Sequence, residues 1–368
     1  MFNLDKELKD ILKDINEIFW TNGQKYKSEY LGEGAFGKII VPHLDSHIKN
    51  DYGHELPIIY KETKGNNESL KLYKNYITGD NCLGTEVLIL HEIKKYEKDN
   101  PHLPLILGYI TFNDGDNIYI KGIITERHGL LDPINLKNDI YPFGLFIYRN
   151  IKTQTNITTV KQLFDCMFCY NMDVINCKPH KLVDYFCITY LCTYMSLKSK
   201  GITILDMHLD NIFIHWLGEN SWMGDKSLKK VKHIVYVNKD FKLQIDTHGI
   251  ILKMGDIGCS IYEGKKYTVL GSSDNIENKE KEIKLIQDSK LCTLIFLDSW
   301  SVSIPFDVLK NTVLYRILTS HPLDKIPIWN SNVIEKYYHE MMTPLQALQM
   351  YKKYNFKTDQ PNTLYVNI

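Results

Sequence analysis

The sequence lacks the features that mark membrane, secreted and nucleic-acid-binding proteins. Its 368 residues contain 44 lysines and arginines against 44 aspartates and glutamates, so no excess charge attracts a nucleic acid or an anionic membrane. No apolar run approaches the roughly 18 to 20 residues of a membrane span. Charged residues interrupt the N-terminal segment MFNLDKELKDILKD every few positions, unlike a signal peptide. We therefore expect a soluble, intracellular protein with no membrane span and no nucleic-acid partner.

Cysteine is too sparse for a disulfide framework. Eight cysteines in a chain of this length, without a secretory signal, are expected to be reduced thiols. Four residues in the pattern C-x2-C-x7-C-x2-H could instead bind zinc: Cys166, Cys169, Cys177 and His180. The apolar spacing around the first two predicts a helix, in which buried thiols are the commoner outcome.

The pattern of the chain changes near residues 125–129. Before this point short strand-like runs alternate with glycine turns, and after it the apolar spacing is mostly helical. The last predicted helix has Thr343 as its N-cap and Pro344 as its first residue. The predicted elements are a leading helix over 4–19, strands within 28–61, a helix over 83–98, helices over 158–172 and 179–199, a β-hairpin within 217–248, and a helix over 344–354.

The segment 199–214, SKGITILDMHLDNIFI, is the most informative part of the sequence. It presents Asp206, then Asn211 five residues later, and then a short apolar strand, IFI. An apolar helical segment precedes it. This pattern resembles the catalytic loop of the protein-kinase superfamily, in which D-x-x-x-x-N is followed by a strand.

Two segments before this loop occur in the order of the same family. The segment 31–39, LGEGAFGKI, has the G-x-G-x-x-G spacing that lets backbone amides approach phosphate oxygens, and a strand rather than a helix is expected after it. Lys61 ends the strand IIYK and resembles the nucleotide-binding lysine. Its expected partner is Glu86, in the helical segment TEVLILHEI, with Glu92 as the competing choice.

Three further segments complete the resemblance. The run IITERHG at 123–129 resembles the hinge that binds adenine, with Thr125 as gatekeeper. The run ILKMGDIG resembles the strand and D-F-G that hold magnesium, and Asp256 is its aspartate. The run DSWS, which begins at Asp298, resembles the start of a helix whose aspartate bonds the catalytic loop.

The resemblance implies an α+β, bilobal protein-kinase-like fold in a single domain. Its small, β-rich N-lobe would span 1–125, and its larger, mainly helical C-lobe would span 126–368, with an inserted β-hairpin at about 217–248. The implied reaction is magnesium-dependent transfer of the γ-phosphoryl group of ATP to serine or threonine hydroxyls of a protein substrate.

The resemblance also implies a role for each matching residue. Asp206 would orient the attacking hydroxyl and accept its proton, and Lys61, held by Glu86, would place the phosphates. Asn211 and Asp256 would bind Mg²⁺, with Mn²⁺ as an alternative. The implied nucleotide site consists of Leu31, Gly32, Gly34, Ala35, Phe36, Gly37, Ile39, Ile59, Lys61, Thr125, Glu126, His128, His208 and Phe213.

The chain departs from the family pattern in its loop and its substrate segment. Ile204 and Leu205 stand where the family has His-Arg, so nothing at that position can bind a phosphorylated activation loop. No A-P-E follows Gly258. His208 stands where most Ser/Thr kinases have lysine, and Ile59 stands where the family has alanine.

Two alternatives to a protein kinase follow from these departures. His208 and the missing A-P-E are compatible with a small-molecule phosphotransferase of the aminoglycoside or choline type, and a nucleotide-binding pseudokinase scaffold is the other alternative. Asn211 and Asp256 lie 45 residues apart, and the predicted hairpin fills this long gap. The layout resembles the divergent kinases of large DNA viruses, which implies a location in the host cytoplasm or the virion.

Overall fold

The fold is mixed α+β, with several small sheets and a few helices. The predicted leading helix over 4–19 lies outside the residues that the structure describes. That structure, a computed structural model, describes residues 28–33, 37–42, 58–63, 70–73, 76–79, 82–96, 99–104, 106–114, 117–126, 128, 157–169, 178–217, 230–239, 241–270, 300–319, 343–349, 351 and 362–368.

The chain forms two compact units. Unit 1 consists of Met1–Glu97, Pro104–Arg127 and Asp256–Asn275. Unit 2 consists of Lys98–Leu103, His128–Gly255 and Ile276–Ile368.

Unit 1 contains a sheet of antiparallel strands that carries the glycine-rich segment. Its strands are β1 (Ser28–Glu33), β2 (Gly37–Pro42), β3 (Ile58–Thr63), β6 (Ile106–Asp114) and β7 (Asn117–Glu126). Their order in the sheet is β1, β2, β3, β7 and β6. A strand, β2, follows the glycine-rich segment, as the sequence predicts.

A second set of strands and one helix complete the described part of unit 1. The strands are β4 (Leu70–Tyr73), β5 (Tyr76–Gly79), β13 (Ile261–Glu263) and β14 (Thr268–Leu270). They lie in the order β4, β5, β14 and β13, and β5 and β14 are parallel. Helix α1 (Cys82–Lys94) packs against β5, β6, β7 and β14. The helix predicted over 83–98 is therefore confirmed, with an earlier end.

The helices of unit 2 pack around one long buried helix. They are α2 (Val160–Phe164), α3 (Pro179–Lys198), α4 (Phe306–Leu309), α5 (Val313–Thr319) and α6 (Pro344–Gln349). Helix α3 confirms the prediction over 179–199 and packs against α4, α5 and α6. Helix α2 begins at a capping box formed by Thr159 and Gln162, and continues as a π-helix, Asp165–Cys169.

The strands of unit 2 form a pair and a three-stranded sheet. The pair is β9 (Ile212–Trp216) with β12 (Ile250–Met254), and a short strand, β8 (Ile202–Thr203), precedes it in the chain. The predicted hairpin is confirmed as β10 (His233–Asn238) and β11 (Phe241–Asp246). An unpredicted strand, β15 (Thr363–Asn367), lies parallel to β10.

The start of α6 agrees with the sequence prediction. The Gln346 N–H donates to Thr343 Oγ1, and the Gln346 side-chain oxygen accepts from the Thr343 N–H. These two bonds form a capping box, which fixes the first turn of the helix at Pro344.

The described helices include no candidate for a membrane span, because none combines the necessary length with sufficient apolar character.

Candidate functional site

Three charged side chains meet in unit 1. The Lys61 ammonium lies 2.8 Å from a carboxylate oxygen of Glu86 and 2.7 Å from a carboxylate oxygen of Asp256. These partners are 25 and 195 positions away along the chain, so the fold and not the local sequence joins them. The cluster unites one residue from each of three separate motifs.

The first sheet and helix α1 place the lysine and the glutamate. Lys61 lies within β3, opposite Ile39 of β2 and Ile123 of β7, so strands on both sides hold its backbone. Glu86 lies in the second turn of α1 and is buried. A buried carboxylate is unfavourable unless a counter-charge accompanies it, and Lys61 supplies that charge.

Asp256 is the accessible carboxylate of this cluster. Its side chain is 46% exposed, whereas those of Lys61 and Glu86 are 19% and 7% exposed. Its backbone is left-handed, with φ 46° and ψ 60°, a conformation that non-glycine residues rarely adopt. Strain of this kind is concentrated at functional sites, where the surrounding structure enforces it.

The electrostatics of the cluster favour a charged lysine. Burial alone would lower the pKa of Lys61, but the carboxylates of Glu86 and Asp256 outweigh it and raise that pKa above its ordinary value. Burial raises the pKa of Glu86, and the Lys61 ammonium counteracts this. One ammonium therefore faces two carboxylates, which leaves the ion-paired cluster attractive to a further cation.

Glu92, the competing partner, has a different role. Both of its carboxylate oxygens lie 2.7 Å from Lys95 Nζ. It also hydrogen-bonds the hydroxyl of Tyr262 on β13, and burial together with the Glu92 charge raises the pKa of Tyr262 to about 12. Glu92 thus links α1 to β13, while Glu86 holds the lysine.

Several residues expected at the nucleotide lie on one face of the first sheet. Residues directly opposite across neighbouring strands point to the same face, as do alternate residues within a strand. Lys61 is opposite Ile39, and Ile59 is opposite Thr125. These four residues therefore share a face. Glu126, which ends β7 and is buried, is offset by one residue from Thr125.

The segment with Asp206 and Asn211 forms a closed loop in unit 2. The Asn211 side-chain amide donates to the Asp206 carbonyl at 2.7 Å, and the Asn211 N–H donates to the His208 carbonyl at 2.9 Å. Because the amide nitrogen is used in this way, the amide oxygen is the acceptor atom that Asn211 can offer a cation. The Asp206 carboxylate is 49% exposed and therefore accessible from solvent.

His208 lies between two carboxylates of the same loop. Its Nε2 is 3.9 Å from Asp206 Oδ1, and its Nδ1 is 3.8 Å from Asp210 Oδ2. The Asp210 N–H donates to Nδ1 at 3.3 Å. When protonated, this ring places a positive charge beside Asp206, at the position where the sequence predicts a contact with the nucleotide.

Strands β9 and β12 fix the position of this loop. Ile212 pairs with Met254, and the Gly255 N–H donates to the Asn211 carbonyl at 2.8 Å. A Cβ atom at position 255 would collide with the Phe213 ring. Close packing therefore favours glycine at this position.

Two predicted nucleotide-site residues contact each other in unit 2. The Phe213 ring stacks on His128 with centroids 4.8 Å apart and planes at 18°. His128 Nδ1 lies 2.6 Å from Nε2 of His215, a residue to which the sequence assigned no role. His128 and His215 are both buried. Phe213 therefore has one of its faces covered by an imidazole.

The structure describes only part of the glycine-rich segment, and two other predicted residues lie outside the described ranges. The backbone of Leu31 and Gly32 belongs to β1, and Gly37 begins β2. The remaining predicted residues of the glycine-rich segment, Gly34, Ala35 and Phe36, lie outside the described residues, as do Asp298 and Cys177.

The structure describes Trp300 of the D-x-W-S segment, and Cys166 and His180 of the predicted zinc motif. Trp300 is buried and its indole N–H donates to the Met207 carbonyl at 3.1 Å, so this segment does reach the Asp206 loop. Cys166 is a buried, reduced thiol. His180 is the second residue of α3, where burial and the charges of Lys181 and Lys178 lower its pKa.

Sequence reasoning missed a buried network in unit 2. His102 Nδ1 donates to the Leu252 carbonyl at 2.8 Å, and His102 Nε2 lies 2.8 Å from the Tyr236 hydroxyl. The partners are 150 and 134 positions from His102. No local pattern indicates such distant contacts.

Neither a protein-family model nor a curated protein matches the sequence.

Proposed function

We propose that the chain is an ATP- and magnesium-dependent protein kinase that transfers the γ-phosphoryl group to serine or threonine hydroxyls, with a bilobal kinase-like fold. The observation that carries this proposal is the cluster of Lys61, Glu86 and Asp256. A lysine fixed by a buried glutamate is a preorganised cationic partner for phosphate oxygens. Phosphoryl transfer depends mainly on positioning and charge neutralisation, which such a cluster supplies.

Lys61 would bind the phosphates of ATP, with Glu86 holding its ammonium in place. The phosphates would compete with Asp256, the more exposed partner, for the lysine. Ile39, Ile59 and Thr125 share the lysine's face of the sheet, and we assign them to the rest of the nucleotide. The glycine-rich segment would cover the phosphates with backbone amides.

From the sequence resemblance we assign two residues to magnesium, the Asp256 carboxylate of unit 1 and the Asn211 amide oxygen of unit 2. Hard oxygen ligands of this kind suit Mg²⁺ and Mn²⁺. The strained backbone of Asp256 and the side-chain bond of Asn211 to Asp206 both support a dedicated role. Magnesium, when bound, would neutralise charge on the phosphates.

Asp206 would orient the attacking hydroxyl and accept its proton. Its exposed carboxylate is compatible with this role, because a general base must come within hydrogen-bond reach of the group it deprotonates. The bond from Asn211 to the Asp206 carbonyl and the bond from Trp300 to the Met207 carbonyl hold the loop that presents it.

A small-molecule phosphotransferase is the second candidate function. It is favoured by His208, which lies 3.9 Å from Asp206 Oδ1, because a histidine at this position of the loop resembles the aminoglycoside and choline phosphotransferases. The proposed protein substrate and this alternative differ in the acceptor and share the residues that bind ATP.

The test is transfer of label from γ-labelled ATP with magnesium. Wild-type protein is incubated with casein, with a basic protein, and with aminoglycosides and choline. Asp256→Ala should lose transfer, and Asp307→Ala is the matched control, since Asp307 is an exposed aspartate paired with Lys310. Label on protein supports the kinase, and label on a small molecule supports the alternative. ATP-dependent thermal stabilisation without transfer to any acceptor would identify a pseudokinase.

A further inference from the structure

A buried hydrogen-bond network connects the β10–β11 hairpin to strand β12. The hydroxyl of Tyr236, on β10, lies 2.8 Å from His102 Nε2 and 3.1 Å from Thr189 Oγ1. His102 Nδ1 in turn donates to the Leu252 carbonyl of β12 at 2.8 Å. Tyr236, His102 and Thr189 are all fully buried. The network lies entirely within unit 2.

The segment around His102 occupies one edge of β12. The Met254 N–H donates to the His102 carbonyl at 2.8 Å, and Lys253 Nζ donates to the Leu103 carbonyl at 3.1 Å. In the part of the chain that the structure describes, β12 pairs with one strand only, β9. The backbones of Leu252 and Met254 are therefore both bonded by His102, and the Lys253 side chain adds a third bond to this segment.

Tyr236 determines how the His102 ring is oriented. A carbonyl can only accept, so His102 Nδ1 carries a hydrogen and donates to Leu252. Desolvation lowers the pKa of His102 to about 3, so the ring is neutral near pH 7 and Nε2 must accept. Nε2 therefore accepts a hydrogen bond from the Tyr236 hydroxyl. The Leu252 carbonyl fixes the tautomer, and Tyr236 of the hairpin holds the other nitrogen of the ring.

We propose that Tyr236 is a positioning residue that holds the end of β12 against the Asp206–Asn211 loop. Beyond Leu252, the strand ends in the pair Met254–Ile212 and in the bond from the Gly255 N–H to the Asn211 carbonyl. Movement of this strand end displaces Asn211. The inference rests on the proposed function, in which Asn211 binds magnesium.

The catalytic test compares two tyrosine variants. Tyr236→Phe removes the donor to His102 and keeps the ring. Tyr194→Phe is the matched control, because Tyr194 is also a fully buried tyrosine of unit 2, in helix α3, where its ring packs beside Tyr190. Tyr236→Phe should lower kcat about tenfold and raise the magnesium concentration needed for half-maximal rate. The KM for protein substrate should stay unchanged, and Tyr194→Phe should change kcat less than about threefold.

The second test measures geometry without activity. Amide hydrogen exchange of Met254 and Gly255 reports the two bonds that anchor the end of β12. Tyr236→Phe should accelerate exchange of both amides about tenfold, and Tyr194→Phe should leave them near the wild-type rate. Equal exchange and equal kinetics in the two variants overturn the inference. Absence of phosphoryl transfer by wild-type protein overturns the proposed function and with it the effect of Tyr236 on kcat. Amide exchange of Met254 and Gly255 still decides whether Tyr236 holds the end of β12.

Discussion

The Lys61 ammonium lies between a buried carboxylate and a partly exposed one, and these two carboxylates have different expected roles. Removing one member of a buried ion pair leaves an uncompensated charge and typically costs about 3 to 5 kcal/mol. An exposed pair contributes about 0 to 1 kcal/mol. Glu86 is therefore expected to support the fold and the lysine together, whereas Asp256 is free to change partners when a nucleotide and a cation bind.

Glu86→Gln should lower the rate of phosphoryl transfer on the order of 100-fold, because Lys61 loses the charge that fixes it. The rate is measured with γ-labelled ATP on protein that has first been shown to fold by circular dichroism. Glu92→Gln makes the same change further along α1 and should lower the rate less than about threefold. Equal losses in the two variants would show that α1, and not the Lys61–Glu86 pair, matters.

His102 should make the free energy of unfolding dependent on pH. Its pKa is about 3 in the folded protein, below its ordinary value of 6.5, because burial disfavours the charged ring. As pH falls below about 6.5 the unfolded state takes up the proton first, so stability is lost progressively towards pH 3. At pH 5 the loss relative to pH 7 should be about 2 kcal/mol.

The control for this prediction is His102→Gln, which has no titrating group at this position. Urea unfolding of both proteins is followed from pH 7 to pH 5. The stability advantage of the wild-type protein should shrink over this range by the amount stated above. A constant difference between the two proteins contradicts a buried, neutral His102.

Residues within local motifs could be read from the sequence, and residues joined only by the fold could not. Lys61, Glu86 and Asp256 each stand in a short pattern with its own physical reason, so their positions were available before the structure. His102 and Tyr236 stand in no such pattern, and 134 positions separate them. Their contact depends on where the hairpin packs, which local spacing does not determine.

At the scale of elements, the segment after Asp256 is held by strand pairing. Its two strands, β13 and β14, pair with each other, and β14 also pairs with β5, which immediately precedes α1. The Tyr262–Glu92 bond adds a link to α1. Leu205 stands where a kinase would have the arginine that binds a phosphorylated loop. Strand pairing therefore orders the segment after Asp256. The proposed phosphoryl transfer should not require phosphorylation of this segment.

A proline in β14 should separate these elements. Val269 is buried and lies between Tyr262 of β13 and Ile77 of β5. Val269→Pro removes a ladder donor from a strand that has partners on both sides. It should lower phosphoryl transfer at least about tenfold, because β14 and β5 no longer support α1.

Lys265→Pro is the matched control, since it places the same residue in the turn between β13 and β14, where proline is tolerated. Both variants are assayed for transfer before and after phosphatase treatment. Full activity of Val269→Pro contradicts the role of β14. Loss of wild-type activity on phosphatase treatment contradicts ordering by sheet pairing.

Elements with strong periodicity were predictable, and long-range pairings were not. Helix α3 and the β10–β11 hairpin follow from local apolar spacing and from the short NKD connection. The pairing of β15 with β10 joins residues more than 120 positions apart. An alternating run at the end of the chain indicates a strand but does not select its neighbour.

At the scale of the whole molecule, the sequence indicates an α+β chain, which the structure confirms. The change of pattern near residues 125–129 is a local property and was visible. The assignment of Asp256–Asn275 to unit 1 could not be predicted from the sequence, because it depends on long-range pairings such as that of β14 with β5.

The most direct test of the proposed kinase activity is phosphoryl transfer by Asp206→Ala, with ATP affinity measured on the same preparation. Asp210→Ala is the matched control, because Asp210 is an exposed aspartate on the other side of His208. The expected result is ATP binding within a few-fold of wild type and transfer reduced at least about 1000-fold in Asp206→Ala, with Asp210→Ala close to wild type. Undiminished transfer by a folded Asp206→Ala protein would contradict the proposed mechanism.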